Sequence, residues 1–295
     1  MPVSSNVRPL QLSVVKFANF SKEERVNHFI FFEIEHIIPQ LKVFANMKTF
    51  SDYADFPGRK IKIGNAPPTV EIELVKSFFS NQTIGTFVDV GANHPIEHSQ
   101  TYALECLGWR GLLIEPLPSY CELLRKGRKS TVIQLGCSSE ENHNKTLPIT
   151  VAGALSTLEP NLVDTRLKSN NVVNIETRTL NSILSDNNIS PGFDFLSIDI
   201  EGHEMEMFKG FNISKWKPRL VLIEDHVLNR IKHNYLTKNG YQLLLRAGLN
   251  SFYAPANIVF SHSIRSRLEF FRKYWLGMPG RKLKYNARYF MSYFR

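Results

Sequence analysis

Apolar and polar positions alternate along this chain in two registers. Short, almost wholly apolar runs bounded by turn residues predict strands at about residues 86–90, 111–115, 131–135, 194–199 and 219–224. Between them lie stretches with helical spacing, which predict helices at about 98–107, 118–126, 179–186, 203–209 and 228–238. Strand and helix in turn predict a parallel sheet covered on both faces. Tyr241 to Arg246 and Ser251 to Ala254 read as a closing antiparallel hairpin around Ala247-Gly248-Leu249-Asn250.

The repeat divides the chain. Residues 1–64 read as a helical extension and linker. Its apolar run Phe29 to Ile38 is interrupted by acids, and its loop carries Pro57, Gly58 and Gly64. Residues 65–258 form the main domain, beginning with a helix over Val70 to Phe79 in which Val70, Leu74 and Phe78 share one face. Between the third and fourth main strands, Thr146 to Thr179 holds extra extended segments and the polar loop Lys168-Ser169-Asn170-Asn171, an insertion able to cover a site. Residues 259–295 are a basic, aromatic tail.

Composition excludes several classes. With 43% hydrophobic and 21% charged residues, the chain has an ordinary globular balance. The best approach to a membrane span, Phe29 to Leu41, contains Glu33, Glu35, His36 and Pro39. The N-terminus lacks a charged-then-apolar signal pattern. Cys106, Cys121 and Cys137 show no metal spacing and suit a reducing cytoplasm, as small buried residues. Net charge is +9, but residues 261–295 hold nine lysines and arginines against Glu269 alone, so the tail carries +8 and the other 260 residues +1.

The chemistry begins at Thr86-Phe87-Val88-Asp89-Val90-Gly91-Ala92-Asn93-His94-Pro95, a strand that ends at an acid and a glycine before a helix. A second acidic strand end follows in Leu113-Ile114-Glu115-Pro116, and its carboxylate suits the two hydroxyls of a ribose. Only Gly91 is present where a dinucleotide fold needs three glycines, and no P-loop follows any strand. One glycine and two strand-end acids fit a cofactor with a ribose and no phosphates, of which S-adenosylmethionine is the common one.

Further along stands Asp194-Phe195-Leu196-Ser197-Ile198-Asp199-Ile200-Glu201-Gly202-His203-Glu204, followed by Met207-Phe208-Lys209-Gly210. With Val88-Asp89-Val90-Gly91-Ala92-Asn93, Ile114-Glu115-Pro116 and Leu222-Ile223-Glu224, it resembles the signature of the FkbM-type methyltransferase family over roughly residues 65 to 255. Pro95 departs from the family's usual glycine, and a slightly altered loop is expected there. The resemblance implies a Rossmann-like class I methyltransferase sheet, mostly parallel. It also implies S-adenosylmethionine-dependent O-methyl transfer, often onto sugars or polyketide-like natural products. On that footing Asp89, Gly91, Asn93 and Glu115 are expected to hold the donor. Ser138, after the third strand, lies where related folds hold the adenine edge, and Asp199 lies near the sulfonium.

The acceptor side combines Asp199, Glu201, His203 and Glu204 past one strand with Glu224, Asp225 and His226 past the next. Adjacent strand ends bring such groups together. His203 is the natural general base, with Asp199 beside it. Glu201, Glu224 and His226 are expected to bind substrate. Two arrangements remain open. Either Asp199, Glu224 and Asp225 hold Mg²⁺, as acids at these strand ends do in cation-dependent sugar O-methyltransferases, or the site is metal-free.

In the tail, Ile264, Leu268, Phe271 and Trp275 share one helical face flanked by Arg265, Arg272 and Lys273. The plainer reading docks that face on the domain or on a second subunit in a homodimer. The alternative is peripheral contact of residues 264–295 with an anionic membrane surface at its cytoplasmic face. A nucleic-acid acceptor is disfavoured by the neutral body and by the lack of an Asn/Asp-Pro-Pro-Tyr/Phe motif. A non-catalytic membrane- or partner-binding module on the same fold is the remaining alternative.

Overall fold

Runs such as Phe195–Ile198 and Leu220–Glu224 are buried along nearly their whole length, the signature of strands covered on both faces. The computed structural model describes residues 70–79, 82–153, 156–159, 171–247, 249–258 and 264–283. The expectations for the 1–64 extension, for Lys168 to Asn170, for Gly248 and for the tail beyond residue 283 lie outside these.

The main sheet contains β1 (Thr86–Val90), β2 (Arg110–Ile114), β3 (Thr131–Ile133), β7 (Phe195–Ile198), β8 (Leu220–Glu224), β9 (Tyr241–Ala247) and β10 (Asn250–Pro255). Their order is β3-β2-β1-β7-β8-β10-β9. All neighbours pair in parallel except β10, which runs antiparallel to both β8 and β9, with a bulge between Phe252 and Tyr253. This is the mostly parallel, Rossmann-like sheet with a closing hairpin that the resemblance implies. A second, three-stranded sheet of order β4-β6-β5 is built from β4 (Gly136–Cys137), β5 (Lys145–Thr150) and β6 (Val172–Arg178). The extra extended segments read in the sequence are therefore a small sheet of their own.

Period-two alternation divides the core between the two faces of the main sheet. Val88, Val90, Leu196, Ile198, Val221 and Ile223 pack on one side against α4 (Leu180–Asp186), α5 (Glu204–Lys209), α6 (Ile213–Trp216) and α7 (Ile231–Lys238). Phe87, Leu113, Phe195 and Leu222 face the other side, with Leu74 of α1 (Val70–Phe78), Leu104 of α2 (Tyr102–Cys106) and Leu124 of α3 (Pro118–Gly127). Helix starts follow local chemistry. Pro118 opens α3, and Thr179 caps α4 by accepting from the Ser182 N–H at 3.2 Å. Cys121 and Cys137 are buried as expected, whereas Cys106, at the last turn of α2, is exposed. Among the described residues no helix is long and apolar enough to cross a membrane.

One ion pair lies inside this layer. Arg128 Nε donates to Glu105 Oε1 at 3.1 Å with both side chains almost fully enclosed. Burial works against the Glu105 charge, but bonds from Ser130, the Lys129 N–H and Arg128 outweigh it and hold the carboxyl below its ordinary value. Arg128 also donates to Thr101 Oγ1 at 3.0 Å and to the Pro95 carbonyl at 3.3 Å, so it ties α2 and α3 to the loop after β1. Glu105→Gln removes the carboxylate that pairs directly with buried Arg128, and is expected to cost about 3–5 kcal/mol. In thermal unfolding this is a Tm drop on the order of 10 °C; an unchanged Tm would contradict the role given to the pair.

Candidate active site

At the carboxyl ends of β1, β2 and β7 the loops line a cleft that is open to solvent. Gly91 forms its floor. It has φ +84°, and a Cβ placed on it would lie 1.8 Å from the Asp199 carbonyl oxygen. Only glycine meets both conditions, so the loop after β1 closes directly onto the loop after β7. The Gly91 and Ala92 N–H groups both donate to the Ile114 carbonyl, at 2.9 and 3.1 Å, which joins β2 to the same corner.

Glu115 is buried on the β2 side of the cleft. Its Oε2 accepts the Asn93 N–H at 3.0 Å and its Oε1 the Leu117 N–H at 2.9 Å. Burial pushes its carboxyl up to about 7 against these two bonds. A carboxylate has about four acceptor positions, so two remain for a ligand. Another part of the lining is apolar. Leu135 and Cys137 come from around β4, and Ile149 and Leu158 from the insertion. The insertion therefore lines the cleft.

The β7 side is acidic. Asp199, Glu201 and His203 line the cleft, and Glu224 at the end of β8 shares a hydrogen bond with Asp199. Burial, then the neighbouring carboxylates, raise Asp199 to about 8 and Glu201 and Glu224 each to about 7. Lys232 of α7 tempers this field by donating to Glu204 Oε2 at 3.1 Å and to the Glu224 carbonyl at 2.7 Å. Glu201 stands at φ +47° in the turn before α5. Thr157 Oγ1 donates to its carbonyl at 2.8 Å, which fastens the insertion to the acidic loop.

His203 has both ring nitrogens engaged. Nδ1 lies 2.7 Å from Glu159 Oε1, and Nε2 lies 3.0 Å from Ser138 Oγ. A carboxylate only accepts, so Nδ1 carries the shared proton, and in the neutral ring Nε2 accepts from Ser138. Asn142 Nδ2 in turn donates to Ser138 Oγ at 3.1 Å.

A glycine floor, a strand-end carboxylate and an acidic rim at these three strand ends are the arrangement the motifs implied. Residues 89–248 match the Methyltransferase FkbM domain. The chain belongs to the FkbM methyltransferase family. It is therefore an S-adenosylmethionine-dependent methyltransferase. Among curated proteins no match is found. Among solved structures, it is similar to the precorrin-6y C5,15-methyltransferase of Geobacter metallireducens GS-15, at 12% identity over 66% of this chain and 91% of that one. The TM-score is 0.36, too low for that likeness to carry an argument.

The residues present fit the methyltransferase's cofactor. Glu115 offers free lone pairs for ribose hydroxyls, and the apolar wall suits a base. Of the residues expected at the donor, Gly91, Asn93, Glu115 and Asp199 line the cleft. Asp89 does not. It points to the other face of the sheet, where Thr101 Oγ1 donates to its Oδ2 at 2.6 Å. Burial raises its carboxyl, with Thr101 and Arg128 opposing. Ser138 is also outside the lining, enclosed beside His203.

On the acceptor side, Asp225 is not brought to Asp199 and Glu224. Its carboxylate turns inward to the Val227 N–H at 2.8 Å and the Tyr274 hydroxyl at 3.0 Å, with Arg246 at 3.8 Å. Glu201, Glu224 and His226 instead offer ligand atoms all within 4.8 Å of one another. Burial, then Lys232, lower the His226 imidazole below its ordinary value. Glu159, Thr157 and Lys232 carry no motif of their own, and only the fold brings them here.

These raised carboxyls fix the sign of a pH effect. The folded state retains protons that the unfolded chain releases above about pH 4, so stability falls as pH rises from there through about pH 8. Asp199→Asn removes the largest of these shifts. Its Tm is expected to fall less than wild type between about pH 6 and about pH 8.5. A steeper fall in the variant would contradict the assignment.

Proposed function

We propose that this methyltransferase transfers the methyl group of S-adenosylmethionine to a hydroxyl of a small acceptor, a sugar or glycoconjugate. The observation that carries the reading is the carboxyl-rich rim of Asp199, Glu201 and Glu224 against the Gly91 floor. Carboxylates accept from hydroxyls, and several at one edge suit a polyol. When bound, the cofactor supplies an electrophilic methyl on a sulfonium. The protein's work is then alignment and removal of the acceptor proton.

With both His203 nitrogens engaged by Glu159 and Ser138, the Asp199–Glu224 pair is the better proton acceptor. Its raised values bring it close to neutrality, where a general base is most effective. His203 then holds the acidic loop to the insertion. Glu201 and His226 are left to orient the acceptor.

A second reading has one observation in its favour. The Glu201, Glu224 and His226 cluster could hold a divalent ion, and its imidazole suits Mn²⁺ or Zn²⁺ better than the Mg²⁺ expected from an all-oxygen set.

The test is transfer of labelled methyl to a panel of sugars, glycoconjugates and matched amines. Transfer to hydroxyls is expected, with Asp199→Asn lowering kcat by about 100-fold or more. Activity that survives chelation supports the carboxylate pair. Activity lost to chelation and restored by Mn²⁺ supports the ion. Transfer to amines alone would overturn the O-methyl reading.

A further inference from the structure

The tail enters the structure as α8 (Ile264–Phe271), followed by a widened turn over Arg272–Leu276 in which the Gly277 N–H reaches the Arg272 carbonyl at 2.7 Å. A five-residue step of this kind rotates the helix relative to its α-helical register. The stripe of Ile264, Leu268, Phe271 and Trp275 is not the side that docks on the domain. Phe270 and Tyr274 do so instead. Tyr274 is fully buried, its ring 5.1 Å from His233 and 4.7 Å from Phe270, and its hydroxyl donates to Asp225 at 3.0 Å. Tyr253 and Ser251 of β10 each lie 3.4 Å from the same hydroxyl.

Docking by that side leaves the apolar stripe outward. Ile264 is 61% exposed, Leu268 42%, Phe271 50% and Trp275 54%, and they continue into Leu276 at 66% and Leu283 at 73%. These six are half of the twelve exposed large hydrophobic residues among the described positions, gathered within twenty residues. Concentration of this kind marks an interaction surface, which single exposed residues do not.

We infer that this surface docks the methyltransferase on an anionic lipid bilayer. Cations surround the stripe. Arg267 and Lys282 are exposed within it, Arg272 and Lys273 sit at its widened turn, and the Arg230 guanidinium lies 4.2 Å over the Trp275 ring. Glu269 is the single acid between residues 261 and 295, where the net charge is +8. A second copy of the chain would set like charge against like, which disfavours self-association through this face. Nucleic acid would use the cations but leave Ile264, Leu268, Leu276 and Leu283 in water. A bilayer takes both, with aliphatic side chains below the headgroups, Trp275 at their level and the cations on the phosphates. The inference is independent of which acceptor the enzyme methylates.

Trp109 and Trp216 are 3% and 2% exposed, so Trp275 is the one tryptophan able to report contact. The full chain is mixed with phosphatidylcholine vesicles, with and without phosphatidylglycerol, and followed by fluorescence and co-sedimentation. A blue shift and co-sedimentation on anionic vesicles are expected, weaker by tenfold or more on neutral ones and weakened by salt. The double variant Phe271→Ser with Leu276→Ser is expected to lose tenfold or more of that partition with an unchanged Tm, since both side chains are exposed. An Arg267→Glu with Lys282→Glu variant is expected to lose the preference for anionic lipid. Absence of binding to anionic vesicles, full binding by the Phe271/Leu276 variant, or a blue shift from self-association without vesicles would each overturn the inference.

Discussion

No side chain fits at Gly91. Its positive φ and the Asp199 carbonyl lying 1.8 Å from a Cβ position there let the loop after β1 touch the loop after β7. Everything proposed for the site depends on that contact. It brings the Glu115 side of the cleft, where two N–H groups fix a carboxylate, against the Asp199 side, where buried carboxyls crowd one another. The parallel strands β2, β1 and β7 deliver three loops to one edge, but strand order alone would leave a gap the width of a side chain between them. Gly91 closes it.

The second constraint is a change of direction between two neighbouring acids. Glu224 ends β8 and joins Asp199 in the site. Asp225 turns into the protein and takes bonds from Val227 and Tyr274. The tail is thus anchored one residue from Glu224. Arg246 reinforces the anchor, donating to the Asp225 carbonyl at 2.8 Å. A surface that docks through the tail would be joined to the acceptor side of the cleft by a few buried hydrogen bonds.

Much of this was legible in the chain before any coordinates. The main strands stand within one or two residues of where apolar runs ended at turn residues, because a strand buried on both faces has few other ways to be written. Gly91, Asn93, Glu115, Asp199 and Glu201 were marked by position at strand ends, and the fold gathers them at one cleft. What the pattern could not carry was orientation. Asp89 sits in the most conspicuous motif of the chain but belongs to the opposite face of β1, where Thr101 and Arg128 attend it. Asp225 was grouped with Glu224 by adjacency, yet adjacent residues diverge. Ile149, Leu158 and Glu159 reach the site only because a small second sheet folds over it, a contact between segments far apart in sequence. The tail's helical period was readable, but the side that packs is the one bearing Phe270 and Tyr274, which meet His233.

The central claim is that the cleft over Gly91 takes the methyl donor, with Glu115 on its ribose. Calorimetric titration of the purified protein with S-adenosylmethionine, beside Glu115→Ala, tests it most directly. The account predicts saturable one-to-one binding by the wild type, weakened tenfold or more in the variant, a loss of about 1.4 kcal/mol or greater. Wild-type protein that binds no cofactor, or a variant that binds it equally well, would contradict it.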